Sequence, residues 1–260
     1  RKLEAIEHAQ SMLGVDEAVM MPHGGGEKRA ESMSVLAGMY HEMATAPEIA
    51  DWLAAASEEP LDDMQQAAIR EQSRVYTNMT CLSSDFVRRQ VVARMRSEQL
   101  WRELRAKDDW AGFLPAFEGV VAIAREEAQL RARALGLEPY DAMMEQFDPG
   151  NRAAESRPVF DRLEVFLKDC IPAAMARQDE KRAARPLKPL NGPFPIEKQK
   201  ALGLAVMEAL GFDFEHGRLD VSHHPFCGGV PTDVRMTTRY ESHEFLSSLM
   251  GIIHETGHGL

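Results

Sequence analysis

The sequence predicts a mainly α-helical protein with one small β-region near its C-terminal end. Three observations carry this. Apolar residues recur at helical spacing through most of the 260 residues. Clusters of proline and glycine punctuate those stretches. Only between Phe212 and Tyr240 does the texture change, to apolar–polar alternation and a Thr-rich run.

Leu3, Ile6, Ala9 and Leu13 share one helical face, so a first helix covers 3–13. Met20-Met21-Pro22-His23-Gly24-Gly25-Gly26 reads as a loop, because proline and three glycines do not hold a helix interior. A second helix follows over 27–44, with Ala30, Met33, Ala37 and Tyr40 in register, and Pro47 and Pro60 fit the first turns of two more. From Asp62 to Lys107 the pattern is helical with one break near Leu82-Ser83-Ser84, where Ser84 is the expected N-cap of the next segment. Asp109 is placed to cap a long helix that ends at Leu135-Gly136, glycine suiting the left-handed C′ position.

Tyr140 to Phe147 reads as a short helix closed by Asp148-Pro149-Gly150. Another runs over 154–177, and Pro172 is expected to kink or split it. Arg185 to Pro195 is a rigid proline-rich loop, and Ile196 to Leu210 a helix closed by Gly211. Phe212 to Glu215 and Arg218 to Val221 then alternate around His216-Gly217, a hairpin signal. Val234 to Tyr240 reads as a strand, and the chain is helical again from Ser242 to its end. Apolar helix on both sides of the proline-rich loop favours one continuous domain over 1–260, and no internal repeat is visible.

With 30 basic against 41 acidic residues the formal charge is −11, which argues against nucleic acid or an anionic membrane as partner. No run approaches the roughly 20 apolar residues of a membrane span. Arg1-Lys2-Leu3-Glu4 enters a helical pattern directly, with no signal-peptide pattern and no initiator Met, so a trimmed N-terminus is expected. Cys81, Cys170 and Cys227 are odd in number and far apart, which fits reduced cytoplasmic thiols and neither a disulfide framework nor a zinc knuckle.

The strongest chemical signal is His254-Glu255-Thr256-Gly257-His258. Helical residues four apart have Cβ atoms about 5–6 Å apart, so the two imidazoles can close on one metal ion. Zinc suits neutral imidazole. Glu255 points about 100° away from His254, toward the side where a metal-activated water would sit, and is placed to act as its general base. Phe245, Leu246, Leu249, Met250, Ile252 and Ile253 make this helix apolar almost all round, so it is expected to be buried, and its histidines and glutamate then need partners. The alternative is two hydrogen-bonded core histidines with a hydrogen-bonded Glu255. Gly257, costly in a helix interior by about 1 kcal/mol, suggests close approach of a strand or of substrate backbone. Upstream, His223 to Gly229 and Asp233 to Tyr240 read by composition alone as a polar loop feeding a strand.

Taken together, His224-Pro225-Phe226, Asp233-Val234-Arg235-Met236-Thr237 and His254 to His258, in this order and spacing, resemble the thermostable carboxypeptidase Taq family. Met21-Pro22 with its glycines, Tyr140 to Gly150 and Gly192-Pro193-Phe194-Pro195 extend the resemblance over nearly the whole chain. It implies a multi-helix, neurolysin-like metallopeptidase fold with a deep groove and a small β-sheet beside the active-site helix. It also implies a homodimer, a zinc or cobalt ion, and release of C-terminal amino acids from peptides. His254 and His258 become the metal ligands and Glu255 the catalytic base, with His224, Asp233 and Arg235 near the substrate. The third ligand in the family is a glutamate on a later helix, and this chain stops two residues after His258. The expectation is therefore an N-terminal portion of a longer enzyme, inactive by itself. A neurolysin-type endopeptidase, a metzincin and a non-catalytic peptide-binding domain are the competing readings.

Overall fold

A computed structural model describes residues 1–260. Ten helices and three strands follow one another: α1 Lys2–Val19, α2 Gly26–Ala44, α3 Pro47–Ser57, α4 Asp63–Thr80, α5 Ser84–Arg105, α6 Trp110–Leu135, α7 Pro139–Met144, α8 Ala153–Ala184, α9 Ile196–Leu210, β1 Gly217–Val221, β2 Phe226–Val230, β3 Asp233–Thr238 and α10 Leu246–Gly259. The mainly α class is therefore as the sequence predicts. Contacts group the chain into two compact units, 1–124 with 192–260, and 125–191.

In the larger unit α2 packs along α5, and α1 along α2. The buried stripe of α2 is Gly26, Ala30, Ser34, Ala37, Gly38, His41 and Ala44, rotated from the expected face toward its smallest side chains. Small residues let the neighbouring helix close in: a Cβ at Gly38 would overlap the Arg88 guanidinium, and one at Gly26 the Gln99 amide. His41, buried in that seam, is satisfied by the Met79 carbonyl at 3.0 Å and by Ser84 Oγ at 3.1 Å.

Caps account for most boundary differences. The loop at Pro22 is shorter than expected, since His23–Gly25 forms a single 3₁₀ turn and α2 starts at Gly26. Pro47 opens α3, but Pro60 opens nothing. Asp62 instead starts α4 with a reciprocal capping box to Gln65, which satisfies two orphan backbone donors. At the next break Ser83, not Ser84, accepts from the Phe86 amide, because Ser84 is turned to His41. Asp109 accepts from the Gly112 amide at 2.9 Å as predicted, and Gly136 has a φ of +67°.

In the smaller unit α7 and α8 follow the end of α6. Glu127 and Arg131, one turn apart on α6, form a buried ion pair at 2.8 Å. The sequence leads us to expect Pro172 to kink or split its helix; α8 instead runs unbroken through both Pro158 and Pro172. None of its residues is buried, so carbonyls freed by the prolines are open to water and their cost falls.

The sheet has the order β1-β3-β2, with β1 parallel and β2 antiparallel to β3. This overturns the predicted hairpin of Phe212–Glu215 with Arg218–Val221. Phe212 is buried in the core, and the Asp213 carboxylate accepts from the Glu215 amide at 2.9 Å and sits 2.6 Å from His216 Nδ1. That local turn takes the backbone out of an extended path. The core beneath the sheet is Met207 of α9, Phe212, Met236 of β3 and Ile252 of α10, with Leu204, Leu219, Cys227, Val234 and Tyr240 packed around it.

Candidate metal centre and cleft

Alternation along β3 sorts its side chains onto two faces. Val234 and Met236 turn to the core shared with α10, where a Cβ on Gly259 would lie 3.3 Å from Val234 Cγ1 and 3.4 Å from Met236 Sδ. Thr238, on the same face, has its hydroxyl 3.5 Å from the Ser248 carbonyl of α10. Asp233, Arg235 and Thr237 take the other face.

On α10 the His254 and His258 rings lie side by side, centroids 4.9 Å apart and planes at 81°. Both are exposed, and neither is held by a hydrogen bond or ion pair. The reading as hydrogen-bonded core histidines therefore fails. Glu255, one residue on, is only 9% exposed and also has no partner. Its carboxylate opens into the cleft, where water or a cation can meet it.

Glu255 and His258 line a cleft of about 620 Å³ whose opposite wall is Phe226, Cys227, Gly228 and Gly229 of β2. The two glycines keep that wall low. Gly229 has a φ of +98°, and a Cβ there would overlap the Asp233 carbonyl oxygen. Burial pushes the Cys227 thiol above its ordinary pKa, and the nearby Glu255 carboxylate adds to the rise. The thiol is thereby kept protonated and a poor nucleophile.

The donor set fits a divalent cation in part. Two unengaged imidazoles one turn apart, with an unpaired carboxylate beside them, are the chemistry such an ion uses. No group of three or more His, Cys, Asp or Glu side chains in residues 1–260 is arranged to hold one. His216 is paired with Asp213 in its exposed turn, and His223 faces a separate cavity with Glu17 and His23.

Other expectations change. Helix α10 is not buried all round: Leu246 and Met250 are 44% and 60% exposed, and the buried stripe is Ser248, Ile252, Glu255 and Thr256. No atom of this chain would touch a Cβ on Gly257, so a neighbouring strand does not explain that glycine. Asp233 and Arg235 do not reach the cleft side of β3. They pair with each other, and Asp233 Oδ2 lies 3.1 Å from His8 Nε2 of α1. The Arg235 guanidinium holds the Asp233 carboxyl below its ordinary range, with His8 adding to the effect.

Two residues that sequence reasoning passed over tie the upstream motifs together. Thr237, fully buried, takes the Phe226 amide on its hydroxyl at 3.1 Å. Its hydroxyl lies 2.7 Å from that of Ser222, which donates to the His224 carbonyl at 2.6 Å. His224-Pro225-Phe226 is thus held by backbone, while the His224 ring is exposed. The only sequence signal for Thr237 was its place in the Asp-x-Arg-x-Thr pattern.

Comparison with known proteins gives a consistent picture. The model of the carboxypeptidase Taq (M32) metallopeptidase family matches residues 1–260. Thermostable carboxypeptidase 1 of Thermus thermophilus is 35% identical over 257 residues, covering 94% of this chain and 50% of that protein. The protein of the same name from Pyrococcus furiosus is 30% identical, covering 100% and 52%. Among solved structures, Trypanosoma cruzi metallocarboxypeptidase 1 superposes with a TM-score of 0.84 at 36% identity, over 99% of this chain and 52% of that one. An M32 carboxypeptidase from Deinococcus radiodurans gives 0.79 at 29%, over 99% and 51%. The chain spans about half the length of the curated relatives it matches.

Proposed function

The chain belongs to the carboxypeptidase Taq (M32) family of metallopeptidases, and on that premise we propose that it carries the metal-binding helix and one cleft wall of a metal-dependent carboxypeptidase that releases C-terminal amino acids from peptides. The observation that carries this is the pair of free imidazoles, His254 and His258, beside the unpartnered Glu255 carboxylate in a cleft.

In this reading His254 and His258 hold a divalent cation, zinc or cobalt, through one ring nitrogen each. When bound, such an ion supplies Lewis acidity to a peptide carbonyl and acidifies water. A carboxylate oxygen of Glu255 takes a proton from water in the cleft and returns it to the leaving amine. Low-walled Gly228-Gly229 leaves room for an extended peptide, and His224, exposed and next to the cleft-lining Pro225, is read as a substrate contact by resemblance. Asp233 and Arg235 stand near the substrate in this reading by resemblance, and Asp233 also ties β3 to His8 of α1. Catalytic zinc sites normally take three protein ligands, so the third, in this reading, is a carboxylate outside residues 1–260. That is consistent with an N-terminal portion of a longer metallocarboxypeptidase. A homodimer belongs to the same reading by resemblance, and a cytoplasmic location by the reading of the three cysteines as reduced thiols. No helix is long and apolar enough to cross a membrane.

The test, made on the longer protein that also supplies the third ligand, is amino-acid release from a peptide and from its C-terminally amidated form, with and without Glu255→Gln. Release from the free acid alone is expected, and Glu255→Gln should lower kcat by roughly 10²–10⁴-fold with metal content unchanged. Internal cleavage of the amidated peptide would mark an endopeptidase instead. Undiminished turnover by Glu255→Gln would remove the base assignment.

A further inference from the structure

We propose that Gln199 is the positioning residue of the metal-binding helix, fixing from one buried point on α9 where α10 begins and therefore where His254 and His258 stand. The inference rests on the reading of those histidines as ligands.

Gln199 is 6% exposed, and its side-chain amide makes three hydrogen-bond contacts, with both N–H groups donating. Nε2 donates to the Phe194 carbonyl at 2.9 Å and to the Glu241 carbonyl at 2.8 Å, and Oε1 lies 2.8 Å from Ser248 Oγ, whose one proton it shares with the Phe245 carbonyl at 2.9 Å. These partners lie on three different segments: the end of the proline-rich loop, the exit from β3 and the first turn of α10. The same junction is tied by the Phe194 amide, which donates to the Ser242 carbonyl at 2.7 Å, and by the Phe194 and Phe245 rings, 4.9 Å apart.

The contact then repeats down both helices at one-turn intervals. On α9 the buried positions are Gln199, Gly203 and Met207. On α10 they include Ser248, Ile252 and Thr256. The Gln199–Ser248 bond is the polar first rung, and Gly203 against Ile252 the apolar second. Close packing of Ile252 against Gly203 fixes how near the two helices lie. The hydrogen bond adds a constraint with a preferred direction at the start of α10. His254 lies six residues beyond Ser248 on the same rigid helix, about 9 Å along its axis. A ring nitrogen roughly 6 Å from that axis moves about 1 Å for every 10° of helix rotation, on the scale of the helix diameter. Displacements of that size are costly to both ligation and catalysis.

The test uses cobalt(II) as the probe, because its visible absorption reports ligand geometry apart from turnover. Gln199→Leu removes all three hydrogen bonds at similar volume, and Ser248→Ala removes only the bond to α10. For Gln199→Leu we expect an altered cobalt band, a cobalt dissociation constant raised roughly 10–100-fold, and a fall in kcat at a KM kept within about twofold. Ser248→Ala should move each quantity less, in the same direction. A lowered melting temperature with the wild-type cobalt band and affinity would overturn the proposal, leaving Gln199 a stabilising residue only. If Gln199→Leu does not fold, the same readouts on Ser248→Ala decide the matter, an unchanged band and affinity counting against it. Undiminished cobalt binding by His254→Ala would overturn the ligand assignment itself, and the positioning role with it, through a result that no Gln199 variant produces.

Discussion

Replacing Gly203 by alanine tests how tightly α9 and α10 are packed. A Cβ built there overlaps the Ile252 Cδ1 methyl, while Ile252 Cγ1 and Cγ2 remain at ordinary distances of 3.7 and 3.8 Å. Ile252 is fully buried, so the displaced methyl has no open space to enter. Overpacking of this kind costs about 1–3 kcal/mol. Alanine returns about 1 kcal/mol of helix propensity. The net expectation is a destabilisation of roughly 1 kcal/mol. Ile252→Val alone removes the same methyl from a filled core and should cost about 0.5–1.5 kcal/mol. In the double variant the methyl that clashes is the one deleted, so the two losses should not add. The combined variant should be at least as stable as Ile252→Val, a coupling of roughly 1–2 kcal/mol within the range seen for residues in contact. Urea unfolding of the four proteins supplies all the terms. Additive losses would mean that Gly203 and Ile252 do not touch, and the interhelical register described above would be wrong.

Thr237→Val should destabilise the protein by about 1–3 kcal/mol, because the buried Phe226 amide loses its acceptor and Ser222 a partner. Faster hydrogen exchange at Phe226 would accompany it, and a loss below about 0.5 kcal/mol would show that this bond does not hold the segment. Asp233→Asn should change how stability depends on pH. The folded-state pKa of Asp233 lies below its ordinary value of 3.8, chiefly through Arg235, so its stabilisation is present above that value and lost as pH falls through the lower, folded one. Melting curves of wild type and Asp233→Asn should differ at neutral pH and draw together only as pH falls below 3.8 toward the lower folded value; a gap that stays constant with pH would refute the assignment.

Most helices could be read from the sequence because each contains its own signal: an apolar stripe, a proline at N1 as at Pro47, a glycine past the end as at Gly211. The sheet could not. Phe226 to Val230 contains two glycines, which lowers strand propensity, and it forms a strand because β3 lies beside it. The parallel pairing of β1 with β3 is likewise a tertiary choice that alternation in one segment cannot announce. Adjacent serines at 83 and 84 are equivalent as caps until His41, more than forty residues away in sequence, claims one of them. At the site, four-residue spacing was enough to put His254 beside His258. The face of β3 was decided by packing, so Asp233 met His8 of α1 with Arg235 paired to it, while Val234 and Met236 turned toward the core shared with α10. The exposure of Leu246 and Met250 escaped prediction because an apolar sequence reports what a helix could bury, and this chain covers only one stripe of it.

The central claim, that His254 and His258 hold a metal for Glu255 to work beside, is tested most directly by measuring zinc stoichiometry and affinity in the wild-type protein, His254→Ala, His258→Ala and His224→Ala. The account predicts that the first two substitutions each weaken zinc binding by well over the 10–100-fold typical of outer-sphere changes, while His224→Ala keeps it. Tight stoichiometric zinc in both His254→Ala and His258→Ala would contradict it.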